Sequence, residues 1–263
     1  MMNRITLFAL LAGLFLSCDR PSTPTTAAVE QNPPAPGFRS ELSDSAAIAW
    51  ADRVMAAMGG RAAWDGSRYL SWNFFGRRRL LWDKEQGRVR IERPSDSLVV
   101  LLGPEYESGA CARHGTEMTE PDSLAKYLDL GRRIWINDSY WLAMPFKLKD
   151  SGVALRYFGA DTTSTGASAE KLQLTFEEVG VTPDNKYWVW IDPQTDLVTE
   201  WAYFQSAADS LPAIVTPWQD YRRYGALLLS GDRGDRELSE IKVWTEAPPA
   251  LFSDLTYGLL EPE

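Results

Sequence analysis

The sequence predicts a mainly β (α+β) fold in which an antiparallel sheet of about ten strands curls around two helices. Short apolar runs with period two predict the strands, since alternate side chains of a strand share a face. Turn-forming segments such as 192–196 and 231–235 separate successive runs, as hairpins require. Open sheets of this size curl or close. The predicted strands lie at 70–74, 89–91, 98–102, 153–158, 172–176, 187–191, 197–204, 214–221, 226–229 and 241–244.

Two segments have the periodicity of helices. Asp44 is a candidate N-cap for the first, and the glycine pair at 59–60 is its stop. Asp122 and Ser123 are candidate caps for the second, which runs from residue 124 toward 135. The apolar residues at helical spacing in the first helix are Ile48, Ala51, Val54, Met55 and Met58.

The N-terminus has the pattern of a bacterial secretion signal. Arg4 precedes an apolar run at 5–16, which is shorter than the ~20 residues that a membrane-spanning helix needs. The sequence Phe-Leu-Ser-Cys at 15–18 resembles a lipobox, so we predict a signal peptide at 1–17 and a lipid on Cys18. This places the protein in the cell envelope, anchored to a membrane and facing the periplasm, with inner and outer membrane both open. Ordinary cleavage without a lipid is the alternative.

Residues 18–40 are rich in Pro, Ser, Thr and Ala and lack apolar periodicity, so they predict a flexible tether. Residues 41–263 suffice for a single domain with a substantial core. A lipidated Cys18 leaves Cys111 without a disulfide partner, because the chain has only two cysteines.

The overall charge argues against nucleic acid as a partner. The chain has a formal net charge of −9, whereas phosphate binding needs clustered positive charge. The region 69–93 is locally basic and includes Arg77, Arg78 and Arg79. Those arginines are either a solvated outer face or a contact for lipid phosphates or an acidic partner.

Catalytic patterns are weak, and we predict neither an enzyme nor a cofactor or metal. His114 is the only histidine, so multi-histidine metal sites and histidine relays of the usual composition are excluded. Cys111 and His114, three positions apart on a strand, would point to opposite faces. Paired carboxylates such as Glu177 and Glu178, or Asp232 and Asp235, leave a hydrolase as the alternative, although an acidic sequence supplies such pairs by chance.

Aromatic residues are abundant, with 11 Trp, 10 Tyr and 10 Phe, and several strands are apolar on both faces. In 187–191, for example, Trp188 and Trp190 oppose Tyr187 and its alternate neighbours. A strand that is apolar on both faces needs other parts of the chain to cover both of them. The apolar face that the two predicted helices do not cover is therefore either closed core or the wall of a cavity or groove. The candidate ligand-binding residues are Trp72, Phe74, Trp188, Trp190, Trp201 and Tyr203.

Segment 187–198, a strand, an Asp-Pro turn and a return strand, resembles the LolA-like superfamily of periplasmic lipoprotein carriers and outer-membrane lipoprotein-sorting proteins. The lipobox, the leading helix and the run of antiparallel strands add to this resemblance. Segments 144–150, 172–177 and 182–187 resemble an uncharacterised bacterial lipoprotein family. The superfamily resemblance implies an unclosed β-barrel whose concave side, covered by the helices, receives acyl chains. Its soluble carrier is not lipidated, so a membrane-tethered binder fits this chain better.

Three functional hypotheses follow. The first is a lipid-anchored envelope protein that binds acyl chains or another hydrophobic ligand without catalysis. The second is a structural lipoprotein whose aromatic surface meets another envelope protein. The third is a carbohydrate-handling lipoprotein, because exposed Trp and Tyr rings also stack on sugars.

Overall fold

The computed structural model describes residues 32–106, 108–177 and 184–259, in which antiparallel strands dominate. Three α-helices accompany them: α1 (Ser45–Ala57), α2 (Arg61–Gly66) and α3 (Pro121–Ala143). The strands are β1 (Tyr69–Phe74), β2 (Arg78–Asp83), β3 (Arg88–Arg93), β4 (Leu98–Leu102), β5 (Gly109–Arg113), β6 (Thr116–Glu117), β7 (Val153–Thr162), β8 (Ser168–Phe176), β9 (Lys186–Ile191), β10 (Val198–Phe204), β11 (Ile214–Pro217), β12 (Gln219–Tyr224), β13 (Leu227–Asp232) and β14 (Leu238–Trp244).

The strands form three antiparallel sheets that do not close into a barrel. The largest has the order β14-β1-β2-β3-β4-β5-β6, and the second has the order β11-β10-β9-β8-β7. The pair β12-β13 connects them along the chain, since β12 follows β11 and Asp232 at the end of β13 bridges to Glu237 just before β14. The predicted mainly β, curled and unclosed fold is confirmed.

One large apolar cluster fills the space inside the curl. It contains residues from α1, α3 and the inner faces of both larger sheets. Helix α3 approaches β4 so closely that a Cβ at Gly131 would lie 2.7 Å from Val100 Cγ1, so only glycine fits there without a shift. Both predicted helices therefore pack on the concave side.

The outer face of the seven-stranded sheet is covered by the C-terminal segment. Tyr69 and Leu81 pack there against Leu251 and Phe252. The buried guanidinium of Arg90 donates from Nη1 to the carbonyl oxygens of Leu251, at 3.2 Å, and Asp254, at 2.9 Å. The C-terminal segment thus covers part of the apolar strand surface for which the sequence predicted no cover.

The helix caps differ from the predictions. Asp44 precedes α1, but its carboxylate accepts from the Tyr157 backbone N–H at 2.9 Å instead of from the helix. Helix α3 is capped by Glu120, whose carboxylate accepts from the backbone N–H groups of Asp122 (3.2 Å) and Ser123 (2.8 Å). Because Pro121 at the first helical position has no N–H, the cap bonds the next two donors.

The sequence patterns missed α2, β2, β5 and β6 and joined β11 to β12 across Trp218. Strand β2 has a nearly continuous buried run, so it shows no alternation. Strand β5 consists mainly of small residues. Helix α3, the second of the two predicted helices, also extends eight residues beyond its predicted end at 135, to Ala143.

The packed chain begins no later than Asn32, inside the segment predicted as a tether. Asn32 donates from Nδ2 to Asp52 Oδ1 at 2.7 Å, and its carbonyl oxygen accepts from Lys149 Nζ at 2.5 Å. Phe38 is buried in the main core. The predicted signal peptide, Cys18 and the tether up to residue 31 lie outside the described residues.

Arg233 fixes the C-terminal end of α3 to β13. Its buried guanidinium lies 3.5 Å above the Trp218 ring and donates from Nη2 to the Trp141 carbonyl oxygen at 2.8 Å. Its other hydrogen bonds go to Ser230 and the Asp232 carbonyl. Burial lowers the pKa of Arg233 to about 9. This contact fixes the position of the C-terminal end of α3, where Trp141 borders a cavity.

Candidate functional site

A cavity of about 980 Å³ lies at one end of the two larger, curled sheets. Its lining comes from the β1–β2 and β13–β14 turns, the last turns of α3, the segment 147–153 and the ends of β8, β9, β10 and β11. Both larger sheets and α3 therefore contribute to it. The aromatic residues that line it are Phe74, Phe75, Tyr140, Trp141, Phe176, Tyr187, Trp201 and Tyr203.

The inner wall consists of aromatic rings that contact each other. Trp201 stacks on Tyr187 with ring centroids 5.0 Å apart and 9° between the planes. Trp141 meets Trp201 edge-on at 4.8 Å, and Phe75 meets Trp141 edge-on at 5.3 Å. Such edge-to-face and stacked pairs stabilise the wall beyond simple burial.

Strand register explains why these rings share a face. Tyr203 pairs with Tyr187 and Trp201 pairs with Val189, so these four residues share the inner face. Tyr140 comes from α3, one turn after Ile136, which also lines the cavity.

Two buried polar atoms in this wall have no hydrogen-bond partner among the described residues. They are the Tyr140 hydroxyl oxygen and Trp201 Nε1. Burial raises the pKa of Tyr140 well above its usual value, and the neighbouring Tyr187 and Asp150 raise it further. Burial also raises the pKa of Tyr187. Both phenols therefore stay protonated at neutral pH.

The rim of the cavity carries charges of both signs. Lys147 pairs with Asp150 at 2.8 Å. Arg77 is exposed on the β1–β2 turn, and the Arg236 guanidinium on the β13–β14 turn lies 5.8 Å from the Phe75 ring centre. The acidic rim residues besides Asp150 are Asp235 and Glu237.

The three consecutive arginines do not form one contact patch. Arg77 lines the cavity, whereas Arg78 forms a two-pronged ion pair with the fully buried Asp138, at 2.5 and 2.7 Å. Burial raises the pKa of Asp138, although Arg78 opposes that change. Arg79 pairs with Glu240 on β14 at 2.9 Å. Ion pairs with Asp138 and Glu240 thus engage Arg78 and Arg79. Arg77 is the one of the three arginines that remains a candidate for a headgroup or partner contact.

The aromatic candidates divide between the two faces of the wall. Phe74, Trp201 and Tyr203 line the cavity. Trp72 does not line it and is 1% exposed in the main core, packed among the helices and strands. Trp188 and Trp190, also candidate ligand-binding residues, do not line this cavity, because alternation places them on the outer face of β9.

On that outer face the two tryptophans form a closed cluster. Their indole nitrogens donate to Gln173 Oε1 at 3.3 Å and to Asp161 Oδ2 at 3.1 Å. Lys171 Nζ lies 3.7 Å from the Trp188 ring centre, and Lys186 Nζ lies 4.4 Å from that of Phe204. Ammonium groups and hydrogen-bond partners thus occupy the positions that a ligand would need.

Sequence reasoning missed Phe75, Tyr140, Trp141, Phe176 and Tyr187 as cavity residues. Tyr187 had a usable signal, because it shares a face with Trp201 and Tyr203 in the predicted strands. The α3 residues had none, since their position depends on where the helix ends relative to the wall. Phe75 sits in a turn at φ 55°, which no periodic pattern indicates.

Among the weak catalytic candidates, Asp235 lies at the rim of this cavity, whereas Cys111, His114, Glu177 and Asp232 do not line it. The Cys111 thiol is buried in the main core, and burial raises its pKa. His114 is exposed in the β5–β6 turn. Glu177 pairs with Arg39 at 2.5 Å, Asp232 accepts from the Gly234 N–H at 2.7 Å, and Glu178 lies outside the described residues. Within the described ranges, no three His, Cys, Asp or Glu side chains are grouped to hold a metal ion.

A search of the helices in the described part of the chain finds none that is both long and apolar enough to cross a membrane.

Comparison with known proteins gives no family. No family model matches the chain, and no curated protein matches it. Among solved structures, it is similar to a DUF1329 family protein from Desulfovibrio piger ATCC 29098, with 13% identity and a TM-score of 0.43, over 79% of this chain and 97% of that one. It is also similar to MucB in complex with MucA(peri), with 12% identity and a TM-score of 0.21, over 81% of this chain and 60% of that one. Likenesses of this extent assign neither family nor function, and neither name is that of a LolA-like carrier.

Proposed function

We propose that this protein binds acyl chains or another hydrophobic ligand in the aromatic cavity and does not change it chemically. The observation that carries the proposal is a cavity of about 980 Å³ whose inner wall is built from eight aromatic side chains. Ligand pockets are commonly apolar clefts of roughly 300–1,000 Å³ with a few polar groups that orient the ligand.

The arrangement of charge supports an amphiphilic ligand. Apolar rings form the inner wall, while the charged groups Arg77, Lys147, Asp150 and Arg236 lie at the rim. An acyl chain inserted among the rings would be removed from water. This transfer stabilises the complex by roughly 25 cal/mol per Å² of apolar surface buried. A polar headgroup would remain beside the charged rim.

The lipid anchor on Cys18 and a location in the cell envelope, facing the periplasm, belong to this proposal and are supported by the lipobox alone. Replacement of Cys18 by Ser should block lipidation and leave an unprocessed precursor. Equal labelling of the Cys18→Ser protein with a radioactive fatty acid would contradict the anchor, without bearing on the cavity.

The cavity is tested with a matched pair of substitutions on β11. Ile214 lines the cavity, whereas its neighbour Val215 pairs with Ala202 on the outer face. Titration of the full chain with a fluorescent fatty acid should give saturable binding. Ile214→Trp should weaken that binding about tenfold, since overpacking costs about 1–3 kcal/mol, while Val215→Trp should leave it unchanged. Native mass spectrometry of protein purified from its own membrane would identify the bound lipid.

A second candidate, docking of another envelope protein, is favoured by exposed apolar residues beside the cavity. Leu211 is 80% exposed and Val215 is 47% exposed, next to the lining residue Ile214. Absence of saturable binding by any lipid would favour this function. Saturable binding of soluble oligosaccharides instead of lipids would favour carbohydrate handling, the third hypothesis.

A further inference from the structure

The segment that leads into the packed domain runs beside one wall of the cavity. Residues 35–39 are joined to 149–153 by backbone hydrogen bonds, and Asp150, Ser151 and Val153 of that second stretch line the cavity. The bonds run from the Ala35 N–H to the Lys149 carbonyl oxygen at 2.9 Å, from the Gly152 N–H to that of Gly37 at 2.8 Å and from the Arg39 N–H to that of Val153 at 3.0 Å. The start of the described chain therefore lies at the edge of the cavity.

The two segments approach each other closely. A Cβ at Gly37 would lie 2.6 Å from Ser151 Oγ, and the Gly37 φ of 86° is one that side chains disfavour. At residue 32 the chain is still held by the same stretch, because Lys149 Nζ donates to the Asn32 carbonyl oxygen at 2.5 Å. Lys149 directly precedes the lining residue Asp150. The chain before residue 32 thus begins within one lysine side chain of the cavity wall.

Only a short stretch separates this point from the predicted lipid on Cys18. Residues 18–31 are 14 in number. A chain of that length spans at most roughly 50 Å when fully extended. Its Pro-, Ser- and Thr-rich composition predicts a typical end-to-end distance of roughly 20 Å. Tethers of this kind hold the attached group at an effective concentration on the order of millimolar, so an acyl chain on Cys18 meets the cavity as an intramolecular ligand.

The charges at the rim favour a ligand without a charged headgroup. The lining includes as many acidic as cationic side chains, so their formal charges cancel: Arg77, Lys147, Arg236, Asp150, Asp235 and Glu237. A free fatty acid or an anionic phospholipid would bring a net negative charge that the rim as a whole does not offset. An acyl chain joined to the Cys18 sulfur through a neutral lipid brings no free carboxylate or phosphate.

We propose that the cavity seats an acyl chain of the lipid on this protein's own Cys18, against the rings of Tyr187 and Trp201, with residues 18–31 as the tether. This inference rests on the proposed function and on the lipid anchor, and it names the occupant of the cavity. An acyl chain is unfavourable in water, so the cavity shields it whenever it is outside the membrane. The protein thereby occludes its own site, and a second lipid binds only after the Cys18 chain has moved out.

A photoreactive fatty acid on Cys18 tests this seat. Cells that grow on a fatty acid with a diazirine near its end attach it to Cys18, and the mature protein is then transferred to nanodiscs of unlabelled phosphatidylcholine, one molecule per disc. Irradiation should join the lipid to peptides that contain cavity-lining residues such as Tyr140, and not to peptides with the outer-face Trp188. Mass spectrometry of the digested protein locates the cross-links, and a single molecule per disc makes them intramolecular.

Ile214→Trp and Val215→Trp are the matched variants. Ile214 lines the cavity, whereas Val215 pairs with Ala202 on the outer face. Ile214→Trp overpacks the seat and should lower the yield of cavity cross-links about tenfold, while Val215→Trp should keep the parent's yield. Urea unfolding of both variants verifies that they are folded, and the cross-links of the parent protein test the seat independently of either variant.

Each result has a separate consequence. Cross-links confined to the disc lipids, or cavity cross-links that Ile214→Trp does not reduce, would overturn the seat and leave the cavity open to membrane lipids. Absence of the label from Cys18 would refute the anchor and this inference with it. The mature chain without lipid, made as Cys18→Ser behind an ordinary secretion signal, tests the proposed function separately. If that chain does not bind the fluorescent fatty acid saturably, the proposed function fails, whatever the cross-links show.

Discussion

Strands β9 and β10 have aromatic side chains on both faces, and the two faces differ in what surrounds the rings. On the inner face, Tyr187, Trp201 and Tyr203 border open volume and contact rings from α3. On the outer face, Trp188 and Trp190 are covered by lysine and hydrogen-bonded to neighbouring strands.

The difference shows that aromatic content does not by itself indicate a binding surface. The outer-face indoles have acceptors and a cation supplied by β8, which pairs with β9, and by β7, the next strand of the same sheet. On the inner face, Trp201 Nε1 has no hydrogen-bond partner within the described ranges. Because the core residues Trp72 and Trp218 also have indole nitrogens without a partner in the described part of the chain, it is the open volume beside the inner rings that separates a candidate ligand wall from a closed cluster.

The largest expected effect is that of Trp201→Ala on the inner face. Its ring contacts four others, Tyr140, Trp141, Tyr187 and Trp218, with centroids 4.8 to 6.0 Å away. We expect a loss of about 3–5 kcal/mol in the free energy of unfolding, measured with urea, and loss of saturable probe binding.

The same change on the outer face, Trp188→Ala, is the comparison. Trp188 is half-buried, so the expected loss is about 2 kcal/mol, with probe affinity unchanged. If Trp188→Ala abolished probe binding while Trp201→Ala preserved it, the assignment of the two faces would be reversed.

Period-two patterning predicted the two faces of β9 correctly because side-chain alternation is a local property of a strand. In β10 it placed Trp201 opposite Ala202 correctly, but a register shift between Val198 and Glu200 puts Val198 in the main core with Trp201 and not on the outer face. The pattern could not say which face was open. That depends on the last turns of α3, where Trp141 packs against Trp201, on the hydrogen bond from Arg233 to the Trp141 carbonyl oxygen, and on Lys171 from the neighbouring strand β8. These are contacts between residues far apart in the chain.

The same limit explains the arginine triplet. The sequence shows three adjacent positive charges, but not that Asp138 and Glu240 neutralise two of them from α3 and β14. Only Arg77 retains an exposed position at the rim. Strand β2 was missed for a related reason: its outward-facing Leu81 is buried by the C-terminal segment, so its pattern lacks a polar face.

The next largest expected effect is a loss of stability at alkaline pH that arises from the inner face, because the inner face contains tyrosines and the outer cluster contains none. The folded-state pKa of Tyr140 lies above its usual value of about 10, so its contribution to stability is complete below about pH 10 and is lost as the pH rises further. Between pH 10 and 11, the parent should lose about 1 kcal/mol more than Tyr140→Phe does, measured by urea unfolding at each pH. Parallel pH curves for the two proteins would show that the Tyr140 phenol is not shielded from water.

The smallest expected effect concerns the lysine cover of the outer face. Lys171 Nζ lies 3.7 Å from the Trp188 ring centre and pairs with Asp161 at 3.0 Å. Lys171→Met keeps most of the apolar stem and removes the charge, so the free energy of unfolding should fall by about 0.5–1 kcal/mol, with ligand affinity unaffected. Lys126→Met is the control, since Lys126 is exposed and its Nζ lies 6.0 Å from the Tyr127 ring centre. A gain of saturable probe binding in Lys171→Met would mean that the outer tryptophans form a second hydrophobic site that the lysine closes, which would overturn the distinction between the two faces.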